Sequence, residues 1–372
     1  MRNPSLQQSV AAPAKHPDLI VRLDDPFNGG PPPDLQTASA LTPTDLFFVR
    51  NHGNIPVIDP ETYRLRLAGL VERAKALSLT DLRRLFPRRT VTATLQCAGN
   101  RRMEMLRLRD VPGEVPWDLE AISHGEWAGV SLSTVLDWAG IEPGATHVAF
   151  TGLDDVTRRG QTFGFGGSIP LAKALGPDVL LAYEMNGQPL PAIHGAPLRL
   201  VVPGYIGARS VKWLGEIRVQ AVPSDNYFQQ VAYRLFPPTA DPATASDEDG
   251  RMLGELFTTV AICDPLEGQS LGRGQTTVRG YALGHGGAPL ARVEVSADNG
   301  RTWRPATLLD KRQPFAWQRW EATVTLGPGR HTLVARAVDT RGRGQPADVA
   351  ETWNFKGYMN NAWHRVAVQV GA

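Results

Sequence analysis

Only two cysteines, Cys97 and Cys263, occur in the 372 residues, and they form no C-x-x-C pair. That excludes a disulfide framework, a zinc site built on paired cysteines and a covalently attached haem. No apolar run approaches the roughly 20 residues that span a bilayer. The opening stretch, MRNPSLQQSVAAPAKHP, has neither an apolar h-region nor a twin arginine. The expected location is cytoplasmic if Met1 is the true start, and periplasmic if a signal peptide has been removed. Neither sign of charge is in excess, with 39 Lys and Arg against 37 Asp and Glu. No general basic field therefore recruits nucleic acid or a membrane surface, and any anion site is local. A Ser-His-Asp constellation and a paired-carboxylate pattern are also missing, which leaves hydrolytic chemistry without a carrier.

What is present is a soluble globular composition, 42% hydrophobic and 20% charged, in a chain long enough for two domains. Residues 1–40 are rich in Pro, Gly and Asn, with GGPPP at 29–33. Such a stretch holds no long helix or inner strand, and a surface arm is expected. Residues 41–240 mix short β-rich runs (YRLRLAGLV, TVTATLQ, THVAFTGL, LRLVVP) with helical pieces, SLTDLRRLF and LSTVLDWAG, so an α+β domain is expected there. SLTDLRRLF opens on Ser78 with Asp81 three residues later, a capped helix start. The polar, acidic and Pro-containing segment PPTADPATASDEDG reads as the connection. Residues 254–372 follow as short alternating runs between Gly, Pro, Asp and Asn turns, the pattern of a β-sandwich. No internal repeat or low-complexity tract occurs.

The strongest chemical feature is TATLQCAGNRR at 92–102, an alternating strand that ends at Cys97 and enters a glycine-containing loop with Arg101 and Arg102. Nearby guanidinium charge favours a thiolate over a thiol, although a lone cysteine is more often a buried inert one. Two further clusters attract anions, FFVRNHGNIP at 47–56 and HGAPLRLVVPGYIGARSVKWLG at 194–215. The second carries His194, Arg199, Arg209 and Lys212, with Gly204 and Gly207 allowing backbone N–H groups to approach an oxyanion. A single Arg or Lys is usually a solvated loop residue, but these flank apolar runs.

Together these segments resemble the sulfite oxidases, particularly the plant-type form that has no haem domain. The resemblance rests on RNHG at 50–53, TLQCAGNRR at 94–102, LLAYEMNGQPLP at 180–191, LRLVVPGYIGARSVKWL at 198–214, FPP at 236–238 and NAWHRV at 361–366, in that order. It runs from about His16 to the C-terminus. Several long motifs in order are more specific than any one of them.

The resemblance implies a molybdopterin-binding α+β domain followed by an immunoglobulin-like β-sandwich through which the chain forms a homodimer. It implies a molybdenum-molybdopterin cofactor whose only protein ligand to the metal is Cys97. Phe48, Val49, Arg50, Asn51, His52, Asp154, His194, Arg199, Ser210, Val211 and Lys212 then hold the pterin and its phosphate. Sulfite is received by Arg50, Arg102 and Trp117 with Tyr233 near the metal, and Lys356 stands where the family has an arginine. The implied activity is oxidation of sulfite to sulfate, with electrons passing to oxygen or a cytochrome. These roles suit the chemistry. Soft sulfur ligands stabilise a redox-active metal, guanidinium forks suit a small oxyanion, and a cofactor that carries the hard chemistry needs no protein nucleophile. Without the resemblance, Tyr233 reads as a packed aromatic. Cys263 reads as a small buried hydrophobe.

The chain departs from the family pattern in two places. WNFKG at 353–357 has Lys356 for the arginine, and Trp117 lies one residue further from the cysteine than the family has it. Eukaryotic nitrate reductases share the CAGNRR loop, lack that arginine and have a Met-Asn-Asn run like Met359–Asn361 here. A nitrate reductase is therefore the alternative activity. Lys356 keeps the positive charge and no haem or flavin module is visible, which weighs against it. A non-catalytic relative is the other alternative, opposed by the joint presence of Cys97, the arginines and Tyr233.

Overall fold

The computed structural model describes residues 15–371; the part of the expected arm at residues 1–14 lies outside them. Residues 15–40 are not a surface arm. Ile20–Leu23 and Asn28–Gly30 pair antiparallel, and Pro33–Gln36 forms one helical turn with proline at its start. Asn28, Gly29, Gly30 and Gln36 are buried. Backbone partners account for this. Gly29 and Val49 exchange both of their N–H groups, at 3.1 and 2.7 Å, and Gln36 Nε2 donates to the carbonyls of Leu119 and Ile122. Gly and Pro preclude long elements here, yet they also let the backbone approach closely, which composition alone reads as surface.

Two five-stranded layers build the first body. One runs in space Gly166–Pro170, His147–Gly152, Leu214–Gln220, Leu65–Gly69, Lys75–Leu77, antiparallel except where Leu214–Gln220 lies parallel to Leu65–Gly69. The other places Ile122–Ser131 between Arg88–Gln96 and Leu180–Met185, with Gln188–Pro189 and Arg199–Val201 also paired to Leu180–Met185. Helix Leu79–Leu85 opens on a capping box. Ser78 Oγ accepts from Asp81 N–H while the Asp81 carboxylate accepts from Ser78 N–H. Helix Leu132–Ala139 buries Leu132, Val135, Leu136 and Ala139, a stripe at helical spacing.

The second body is a sandwich of a four-stranded sheet (Thr259–Asp264, Gly274–Leu283, Gln318–Leu326, Thr307–Leu308) and a five-stranded one (Ser270–Leu271, His364–Val370, Gly329–Asp339, Leu290–Ser296, Arg304–Pro305). Val260, Ile262, Val278, Trp320, Val324, Leu333, Val366 and Val368 fill the space between them. Alternation is clean in Gln318–Leu326 and His364–Val370, as a sheet buried on one face requires. In Thr259–Asp264 both faces are buried, because Ala261 and Cys263 turn away from the sandwich into the core of the first body. The segment between the two bodies is not free either. Arg251–Met252 pairs with Arg234–Leu235, and Leu253 and Leu256 are buried.

Candidate functional site

Strand Arg88–Gln96 is exposed at its start and buried from Ala93 onward, so its end delivers Cys97 into the interior. Cys97 N–H donates to Ala121 O at 2.9 Å, and Asn100 N–H returns to Cys97 O at 3.0 Å to close a turn. Asn100 Oδ1 accepts from Ala121 N–H, and its Nδ2 donates to the Tyr281 hydroxyl at 3.1 Å, which ties the turn to the sandwich.

Cys97 stands on the wall of a cleft into which that strand end opens. The same wall holds Phe48, Val49, Arg50, Asn51, His52, Asp154, His194, Arg199, Ser210, Lys212 and Tyr233. The residues come from segments far apart in the chain. Segment 47–52 is held by the N-terminal hairpin, through Asn51 N–H donating to Asn28 Oδ1, and by strand Ile122–Ser131, through Phe48 N–H donating to Ser123 Oγ, each at 3.0 Å. The loop carrying Ser210 and Lys212 is brought against the Cys97 strand at Gly207, where an added Cβ would lie 3.1 Å from Gln96 O. A π-helical turn, Phe228–Ala232, ends at Tyr233, and such turns recur at functional sites.

The cleft is electropositive and short of anions. Lys212 Nζ is bonded to Asn51 Oδ1 and donates to Ile193 O at 3.1 Å, and burial first, then Arg199, hold its pKa well below the usual lysine range. Arg199 donates to His194 O and Ser210 O, with burial taking it down to about 9. His194 and His52 are both held below the usual histidine range, burial being the largest cause and neighbouring cations the next. Asp154 is the one carboxylate on the wall, raised to about 6 by burial, with its Oδ1 accepting from Phe165 N–H. Tyr233 and His52 are joined hydroxyl to Nε2 at 2.9 Å, and burial pushes the Tyr233 pKa above the phenol range. A neutral imidazole thus meets a neutral phenol.

Four expected residues lie off this wall. Val211 is buried beside it, its carbonyl accepting from Leu200 N–H. Trp117 is fully buried in an apolar cluster with Phe48, Ala93, Leu95 and Cys97, because its backbone is pinned to Val115 O and Met103 N–H against helix Arg102–Leu106. Arg102 lies behind the cysteine loop, its guanidinium engaged by Gly357 O, Val115 O and Glu114. Lys356 is half-buried beside Phe355, with no hydrogen bond or ion pair among the described residues.

Three other sequence readings change. Arg101 is wholly buried, paired with Glu104 and donating to Val260 O and Ala362 O, so it joins the two bodies instead of charging the thiol. Arg209 donates to Leu253 O, and Gly204 packs against Gly286 of the sandwich. The wall also contains Phe47, Leu95, Phe165, Ala208 and Trp213. Of these, Phe47, Leu95, Ala208 and Trp213 lie within the quoted motif segments, whereas Phe165 gives no sign of itself beyond being apolar.

The arrangement fits a bulky anionic group that brings its own metal ligands. Among the described residues no three His, Cys, Asp or Glu side chains gather to hold a bare ion. Asn51 Nδ2 is buried without a partner among the described residues, a vacancy that usually marks an absent acceptor. Lys212, Arg199 and Arg50 supply the charge for a phosphate, and Cys97 supplies one soft ligand.

Residues 52–228 match the family described as oxidoreductase molybdopterin binding domain, and residues 251–371 the family described as Mo-co oxidoreductase dimerisation domain. The chain is 45% identical over 373 residues to sulfite oxidase of Gallus gallus, covering 97% of this chain and 80% of that one. It is 39% identical over 380 residues to sulfite oxidase of Arabidopsis thaliana, covering 96% of each. Inducible NADH nitrate reductase 2 of Glycine max is more distant, 36% identical over 378 residues that make up 94% of this chain and 42% of that one. The solved structure of the sulfane dehydrogenase SoxCD from Paracoccus pantotrophus superposes with a TM-score of 0.79 at 27% identity, covering 98% of this chain and 88% of that one. The chain therefore belongs to the sulfite oxidase family of molybdopterin-binding oxidoreductases.

Proposed function

We propose that this chain oxidises sulfite to sulfate on a molybdenum-molybdopterin cofactor, with Cys97 as the protein's ligand to the metal. The observation that carries the reading is Cys97 on the wall of one cleft with Lys212, Arg199 and His194, residues a hundred positions away in sequence. The bound cofactor supplies oxygen-atom transfer and accepts two electrons. In the balanced reaction, sulfite and water give sulfate, two electrons and two protons. The chain's residues bind, orient and screen. Lys212 and Arg199, starved of counter-charge, take the pterin phosphate, and Asn51 Nδ2 and Asp154 take pterin polar edges.

Arg50 and Tyr233 receive the oxyanion. Arg50 Nη1 is spent on Asn28 Oδ1 and Asn51 O, which leaves N–H groups of the other nitrogens for sulfite. Tyr233, held protonated and steadied by neutral His52, offers a hydrogen-bond donor near the reacting oxygen. Trp117 and Lys356 act in this scheme from outside the wall, as packing and as a diffuse positive charge. Electrons leave to an external acceptor, oxygen or a cytochrome. Residues 41–240 carry the chemistry, and residues 254–372 pair two copies into a homodimer.

Protein expressed in a host that makes the cofactor tests this directly. We expect about one molybdenum and one pterin per chain by mass spectrometry, a stoichiometry set by a single thiolate ligand, and sulfite-dependent reduction of an added electron acceptor. Protein that folds in that host with no molybdenum overturns the reading.

A further inference from the structure

A carboxylate stands behind the cysteine loop that the scheme above leaves without a role. Arg102 is wedged between two glycines, since a Cβ on Gly99 would lie 2.4 Å from its Nη2 and one on Gly357 2.6 Å from its Nε. Its N–H groups donate to Gly357 O at 2.9 Å and Val115 O at 2.6 Å, and Nη2 pairs with Glu114 Oε2 at 3.3 Å. The guanidinium carbon sits 5.3 Å over the ring of Tyr358. That ring in turn stacks on Tyr233, with centroids 5.3 Å apart and planes 23° apart. The Tyr358 hydroxyl donates to Glu114 Oε1 at 3.1 Å. Burial, and after it Glu114, hold the Tyr358 phenol above its usual range, so its proton stays in place.

We propose that Glu114, positioned by Tyr358, determines anion selectivity at the sulfite end of the cleft by acting as a resident counter-anion for Arg102. The inference rests on the reading that sulfite is received beside Tyr233, with the Arg102 charge behind the cysteine loop. Three of the five N–H groups of Arg102 are committed to Gly357, Val115 and Glu114, so what this buried guanidinium offers an oxyanion in the cleft is its charge, and Glu114 offsets that charge. Glu114 is 25% exposed and its charge is felt at Tyr233, together with those of Arg50, Cys97 and Arg102. A fixed negative charge beside that guanidinium opposes a dianion in the cleft about twice as strongly as a monoanion, because Coulomb energy scales with the product of charges. Sulfate, the dianionic product, is therefore held weakly and leaves.

The experiment is calorimetric titration of the molybdenum-loaded protein with sulfate and with nitrate, at low and high salt, for wild type, Glu114→Gln and Glu114→Asp. Glutamine keeps an acceptor for Tyr358 and removes the charge. Sulfate should bind Glu114→Gln at least about fivefold more tightly, nitrate should gain less, and salt should shrink the difference. The sulfite KM should fall in parallel, with a smaller change in kcat. Glu114→Asp, which keeps the charge but draws it back, should move sulfate affinity less than Glu114→Gln does. Unchanged or weaker sulfate binding in Glu114→Gln overturns the inference even where sulfite turnover is normal. Tighter sulfate binding in a protein that never oxidises sulfite leaves this inference standing and overturns the assigned reaction.

Discussion

Tyr233 shows how a single residue acquires a role from its surroundings. Its hydroxyl meets a neutral imidazole at 2.9 Å, its ring stacks on Tyr358, and it is 3% exposed. If it donates to the reacting oxygen, Tyr233→Phe should slow sulfite turnover by about tenfold or more, roughly 1.4 kcal/mol in the barrier. Thermal stability should barely change, since the ring packing survives. Steady-state kinetics beside a melting curve checks both, and equal kcat/KM in the two proteins would show the hydroxyl to be idle. At this scale what could be read from the sequence is which motif residues gather, as Cys97, Arg199 and Lys212 do on one cleft wall. Arg101 was misread because what fixes it lies far along the chain, at the carbonyls of Val260 and Ala362.

Among the elements, helix Leu79–Leu85 and strand Arg88–Gln96 could be read because their determinants are local: a Ser and an Asp three residues apart, and a β-rich run ending at a turn. Ser78→Ala removes the acceptor for Asp81 N–H. It should cost about 1 kcal/mol of stability, read as a lowered urea midpoint, with sulfite turnover unchanged because the helix is off the cleft wall. The N-terminal hairpin was illegible for the converse reason. Its burial depends on partners at Val49, Leu119 and Ile122, and nothing in a run of Pro and Gly announces them. The clean strands of the sandwich were legible, but Thr259–Asp264 breaks alternation because its second face is covered by the first body.

Across the whole molecule the apolar core of the first body extends into the sandwich at Ala261, Cys263, Tyr281 and Trp317, beside the core the sandwich keeps between its own sheets, and buried histidines sit where the bodies meet. His364 Nδ1 accepts from Ile262 N–H within the sandwich while its Nε2 lies 3.8 Å from Glu104 Oε1 of the first body, and burial takes its pKa down to about 3. His124 is held by burial at about 4, with Thr94 Oγ1 at its Nδ1 and Trp317 beside its ring. Both pKa values are lower in the folded chain than the ordinary 6.5 of the unfolded one. The unfolded state therefore binds more protons below that pH, and the stability each neutral ring contributes is complete above pH 6.5 and lost as pH falls toward 4 and 3. Asp154 opposes them, since a carboxyl raised to about 6 by burial favours the folded state as pH falls below 6. Buried His52 and His194, lowered likewise, outweigh Asp154 and Asp118, so the unfolding free energy read from urea titrations should drop between pH 6.5 and 5, by about 1.4 kcal/mol per pH unit for each uncompensated group. His364→Gln should flatten the profile, and an unchanged slope in that variant contradicts the assignment.

The reaction itself is the central claim, and a single-turnover experiment reaches it most directly. Sulfite added without oxygen to molybdenum-loaded wild type and Cys97→Ser, with sulfate counted by ion chromatography, should yield about one sulfate per molybdenum in wild type, as expected of a cofactor that carries the chemistry. The serine variant should yield none while its circular dichroism stays native. Wild-type protein full of molybdenum that leaves sulfite untouched, or that instead reduces nitrate from a viologen donor, would contradict the account.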